Sequence, residues 1–118
     1  MFRLKAKGTA RIVHNITVLI PVPQDGGQPK KHKITADFEI LEQSEYDEII
    51  DKALAASQVV DSVVCRRVVK NLGDIADENG NPLVFSAEVL EQVIAEPFAR
   101  KALVEHYQTL AAGGRLGN

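Results

Sequence analysis

A chain of 118 residues with 45% hydrophobic and 25% charged side chains has the composition of one globular domain, far from disordered, collagen-like or membrane-embedded classes. Its single cysteine, Cys65, excludes an intramolecular disulfide and fits a reducing compartment. The net charge of −2 hides an asymmetry. Residues 1 to 33 carry seven Lys/Arg against Asp25 alone, whereas the remainder carries seven against fifteen Asp/Glu.

Phe2, Leu4 and Ala6 alternate with polar residues and offer a first short strand before Gly8. From Ile12 to Ile20 the even positions Ile12, His14, Ile16, Val18 and Ile20 predict one face of a half-buried strand. Pro21 through Pro29 should stop the ladder, because proline lacks the backbone donor and the Gly26-Gly27 pair permits a turn. A second strand is predicted over Lys33 to Leu41, with Ile34, Ala36, Phe38 and Ile40 on one face and Thr35, Asp37 and Glu39 on the other.

The period then changes to about 3.6. Ser44 can cap a helix with Tyr46, Ile49, Ile50, Ala53 and Leu54 as its apolar stripe. The valine doublets between Val59 and Leu72 favour a helix, with a buried strand as the alternative because valine is a poor helix former. Asp77-Glu78-Asn79-Gly80-Asn81-Pro82 reads as a turn. Ser86 caps a short helix that turns Val89, Leu90, Val93 and Ile94 inward, and Pro97 opens a last helix through Leu110, with Phe98, Ala102, Leu103, Tyr107 and Leu110 toward the core. Gly113 and Gly114 end it.

The expected architecture is α+β. An N-terminal antiparallel β-hairpin, with a third strand if residues 2 to 6 join it, packs on a C-terminal bundle of about four helices. The parts are residues 1–42 for the hairpin, 43–112 for the helices and 113–118 for a loose tail, all within one domain.

Residue types that carry chemistry fall short of the patterns they would need. A calcium loop ending at Gly80 would place Ile75 where the first oxygen ligand belongs. His14, His32 and His106 lack the paired spacing of a zinc site. Gly113-Gly114-Arg115-Leu116-Gly117 follows a helix instead of opening one and lacks the lysine–hydroxyl pair of a phosphate loop. Cys65 beside Arg66 and Arg67 has the electropositive neighbours of a nucleophile, but the apolar Val64 and Val68 favour a packed thiol. The expectation is no catalytic residue, no metal and no cofactor. The basic residues of the front segment are scattered over a strand and a turn without a nucleic-acid-binding motif, so no nucleic acid is expected. The apolar run Ile16 to Val22 is too short to cross a bilayer, so no membrane is expected either.

The order of segments resembles the tail assembly chaperones of long-tailed bacteriophages or prophages. The front half of the resemblance is Ile16-Thr17-Val18-Leu19-Ile20-Pro21-Val22-Pro23, a glycine-containing loop, and the return through Ala36-Asp37-Phe38 into Ser44-Glu45-Tyr46. Its rear half is Asp77 through Ser86, then Val89-Leu90, Pro97, Ala102-Leu103, Tyr107 and the ending Gly113-Gly114-Arg115-Leu116-Gly117-Asn118. One departure is that Leu72, Gly73 and Ile75 stand where relatives often carry a tryptophan. The resemblance implies a protein of the host cell cytoplasm that binds the tape measure protein and helps gather tail tube protein around it during virion assembly, with self-association left open. On that reading the contact residues are expected on the exposed side of the last helix, at Arg100, Lys101, Val104 and Gln108. Two other readings stand beside it. One is a minor virion component, such as a tail completion or head-tail joining protein; the other is an enzyme using Cys65.

Overall fold

The computed structural model describes residues 10–113. β1 (Ile12–Val22) and β2 (Lys30–Glu39) form an antiparallel hairpin, α1 (Gln43–Ala55) and α2 (Val60–Val68) follow, β3 (Val69–Gly73) returns to the sheet, and α3 (Ala87–Ile94) and α4 (Pro97–Ala111) close the chain. The sheet order is β1-β2-β3, with both pairings antiparallel. The α+β expectation holds.

The third described strand is not the expected one. Phe2, Leu4 and Ala6 lie outside the described residues, and the strand beside β2 is β3, cut from the segment expected to be helical through Leu72. That valine-rich segment is helix first and strand second. The switch falls at the Val68-Val69 doublet, where Val69 takes extended angles while its N–H still bonds the Cys65 carbonyl. Two β-branched residues weaken the helix where Val69 can pair with Phe38 and Leu72 with Ala36. Gly73 at the end of β3 leaves room for the Thr35 hydroxyl across the ladder, which a Cβ there would force to move.

β1 also departs from simple alternation. Val18 and Ile20 are buried as the even-position pattern requires, but at the start of the strand Val13 is half-buried while Ile12 and His14 are exposed. A bulge between Val13 and Ile16 inverts the facing, with Asn15 in the left-handed region at φ 58°. Asp37 pins the bulge: its carboxylate accepts the Asn15 backbone N–H and pairs with His14 Nδ1, each at 2.9 Å. The Asn15 N–H, with help from His14, holds the Asp37 carboxyl below its usual range against the opposing effect of burial.

The ladder does not stop at Pro21, as the prolines alone would require. Instead Pro21 pairs with Lys31 and Val22 with Lys30. Among the described strands β1 is at the edge, where a missing donor costs no ladder bond. β2 accordingly begins at Lys30 and ends at Glu39, earlier at both ends than its alternation suggests. α1 starts at Gln43 with Glu42 at its cap position and no side-chain cap, so Ser44 lies inside the helix. Leu54, expected inward, is 62% exposed, one residue before the helix ends at Ala55, whereas Ala53 is the buried residue of α1.

The last two helices follow their sequence signals. Ser86 Oγ accepts the Val89 N–H at 3.1 Å and caps α3, and Pro97 occupies the first turn of α4, where its lacking N–H is not needed. The helices α2, α3 and α4 share one apolar cluster with the inner face of the sheet, including Val18, Phe38, Val64, Val68, Leu72, Ile94, Leu103 and Tyr107.

Tyr107 joins the layers. Its ring stacks on Tyr46 of α1 with centroids 5.5 Å apart and tilts against Phe38 of β2 at 6.1 Å. Its hydroxyl accepts the buried Leu41 N–H at 3.1 Å, at the junction between sheet and helices. Tyr107→Phe would keep the ring and orphan that donor, so it should destabilise the fold by about 1–3 kcal/mol. Chemical denaturation checks this; an unchanged midpoint would mean that the Leu41 N–H needs no partner.

Candidate functional site

Three features could carry chemistry or recognition: the cysteine, the acidic turn and the outer side of α4. Cys65 is fully buried on α2, with its Sγ 3.8 Å from the Arg100 carbonyl. Burial, then the nearby Asp61 carboxylate, push its thiol up to about 12 in spite of the Arg100 and Arg66 charges. Such a thiol is protonated at neutral pH and has no path to a substrate. The arginine beside it, Arg66, is turned to Glu91 of α3 instead, in a two-pronged pair at 2.7 and 2.9 Å.

In the acidic turn the Asp77 carboxylate accepts the N–H groups of Asn79 and Asn81 at 2.9 Å, and Gly80 sits at φ 82°. These bonds, led by Asn81, hold the carboxyl below its usual range and commit its oxygens to shaping the turn. Among the described residues no three His, Cys, Asp or Glu side chains gather in a geometry that could hold a metal. The histidines are far apart in role: His14 belongs to the bulge, His32 lies on β2 and not in the loop, and His106 lies on α4. The contact of His106 Nδ1 with the Ala102 carbonyl at 2.9 Å requires the proton on Nδ1, because a carbonyl can only accept.

The four contact residues expected on α4 do not form one surface. Val104 is 5% exposed and belongs to the apolar core. The Arg100 guanidinium donates to the Ile94 and Ala95 carbonyls at 3.1 and 3.4 Å and so caps the C-terminal end of α3. Gln108 is exposed and donates to the Tyr46 hydroxyl at 3.2 Å, bracing α4 against α1. Lys101 alone of the four has no such structural role.

Lys101 belongs to a groove on another side of the helix. Phe98, Lys101, Ala102, Glu105 and His106, spaced three and four apart, form one wall; Leu19 and Pro21 of β1 and Lys31 of β2 form the other. The groove has a volume of about 410 Å³, the size of a cleft that receives one or two side chains of a partner. Leu19 is 45% exposed there, an apolar residue in the outward row of β1 between Thr17 and Pro21. That misplacement in the alternation is the sequence signal for the groove. The remaining members could not be found from the sequence, because the hairpin end and α4 are about 70 residues apart in the chain and meet only through the packing of α4 on β1.

No family model matches the chain, and no curated protein or solved structure is significantly similar to it. None of the described helices is long and apolar enough to cross a membrane.

A thiol in the state described for Cys65 should react with an alkylating reagent at about pH 8 at least about 100-fold more slowly in the native protein than in denaturant. Mass spectrometry of timed aliquots measures the ratio. Native labelling at the rate of a free thiol would restore Cys65 as a candidate nucleophile.

Proposed function

We propose that this protein acts by binding another protein and performs no covalent chemistry, and that it serves as a tail assembly chaperone of a long-tailed bacteriophage or prophage. The observation that carries the binding reading is the groove between the hairpin end and α4, a mainly apolar hollow with Lys31, Lys101 and Glu105 at its walls. The buried thiol and the Asp77 carboxylate spent on its own turn support the absence of catalysis. The phage reading rests on the ordered resemblance of the segments, from Ile16 through Pro23 and from Asp77 to Asn118.

On this reading the protein works in the host cell cytoplasm, covers the tape measure protein and helps recruit tail tube protein. A tape measure is a long helical chain that aggregates when bare, so its chaperone must offer apolar surface in many modest contacts that can later be released. An α+β module with a small open groove meets that requirement, since one groove holds weakly and an array of copies along one partner holds strongly. Participation as a minor virion component is the competing reading, and it predicts stoichiometric presence in purified particles.

Co-expression with the tape measure protein of the same phage is the test. The soluble fraction of the tape measure should rise severalfold when this chain is present, and the chain should be missing from finished virions. An equally soluble tape measure with and without it would remove the chaperone reading.

A further inference from the structure

We infer that the groove between the hairpin end and α4 is the seat of an acidic protein segment, taking an apolar side chain into its hollow while carboxylates beside that side chain meet Lys31 and Lys101. The inference rests on the protein-binding reading above and names the chemistry of the partner.

The distribution of cations carries it. Away from the groove most of the cations are paired: Lys52 with Glu48, Lys70 with Glu39, Arg67 with both Glu39 and Glu45, and Arg66 with Glu91, while Arg11 at the start of β1 forms no ion pair among the described residues. The other four described lysines, Lys30, Lys31, Lys33 and Lys101, form no ion pair among the described residues. All four are exposed, two of them line the groove, and Lys30 and Lys33 flank Lys31 on β2. Four unpaired lysines at or beside an apolar hollow present charge complementarity to an anion that also has an apolar part.

The groove's own composition decides which anion. Leu19, Pro21, Phe98 and Ala102 supply apolar surface, which a phosphate chain could not use. Glu105 on the same wall would repel a polyanion, yet tolerates a side chain that enters between it and the lysines. An acidic segment with an apolar anchor satisfies both conditions; the bases of a nucleic acid could use the apolar surface, but its continuous phosphate chain would bring more negative charge past Glu105. Steering by the exposed lysines would speed encounter, and the apolar anchor would set the residence time.

The test uses the whole chain and two synthetic helical peptides with identical leucine spacing, one flanked by glutamates and the other by lysines. Titration calorimetry should show binding of the glutamate peptide only. Lys31→Glu combined with Lys101→Glu should weaken it about tenfold or more, as should Leu19→Asp, and added salt should weaken it further. Both lysines and Leu19 are exposed, so the variants keep the core intact, which a thermal melt verifies. Equal binding of the two peptides, binding of neither, undiminished binding by the variants, or displacement of the glutamate peptide by a single-stranded oligonucleotide would overturn the inference. Co-expression separates its failure from that of the chaperone reading. Variants that still keep the tape measure soluble overturn the groove as the seat and leave the chaperone standing. A wild-type chain that binds the peptide as expected while the tape measure stays insoluble removes the chaperone and leaves the groove.

Discussion

One buried tyrosine sets the geometry on which the remaining features depend. Tyr107 lies in α4, its ring between Phe38 of β2 and Tyr46 of α1, and its hydroxyl receives the Leu41 N–H where the chain leaves the sheet. A buried N–H with no partner is costly, and a ring this large cannot shift without opening the core on both sides. The tyrosine therefore fixes the position of α4 along the sheet. Shifting α4 by one turn would carry Phe98, Lys101 and Glu105 away from Leu19 and Pro21, and the groove would not exist.

The surface around that frame divides by charge. Arg67 links Glu39 at the end of β2 to Glu45 of α1, Lys70 adds a second contact to Glu39, and Arg67 first, then Lys70, hold the Glu39 carboxyl below its usual range. These partly exposed pairs contribute little individually, but they join β2, α1, α2 and β3. At the far end of the hairpin the lysines of β2 face solvent beside an apolar hollow. The proposed binding surface thus lies apart from the ion-paired surface on one small molecule.

Much of the frame is legible in the chain itself, because it follows from short-range chemistry. Alternation marks both strands, Ser86 and Pro97 mark the starts of α3 and α4, and Gly113 at φ 72° ends α4 as its position suggests. The errors fall where a distant partner overrides local preference. Asp37 braces the bulge at Asn15 from across the hairpin, β2 draws Val69 to Gly73 out of a helix, and the tertiary core buries Val104, which counting along α4 places outside. The groove stays hidden in the sequence for the same reason, although Lys101 is among the residues singled out there and Leu19 breaks the pattern of its strand.

A protein that recognises its partner through unpaired lysines around an apolar hollow should leave a chemical trace of that contact. Zero-length coupling of amines to carboxylates in the complex proposed with a tape measure protein, read by mass spectrometry, records which lysines touch partner carboxylates. Intermolecular links are predicted at Lys31 and Lys101, with Lys30 and Lys33 beside them, to aspartates or glutamates adjacent to apolar residues in the partner. Links confined to Lys52 and Lys70, on the side where the cations are already paired, would contradict the account.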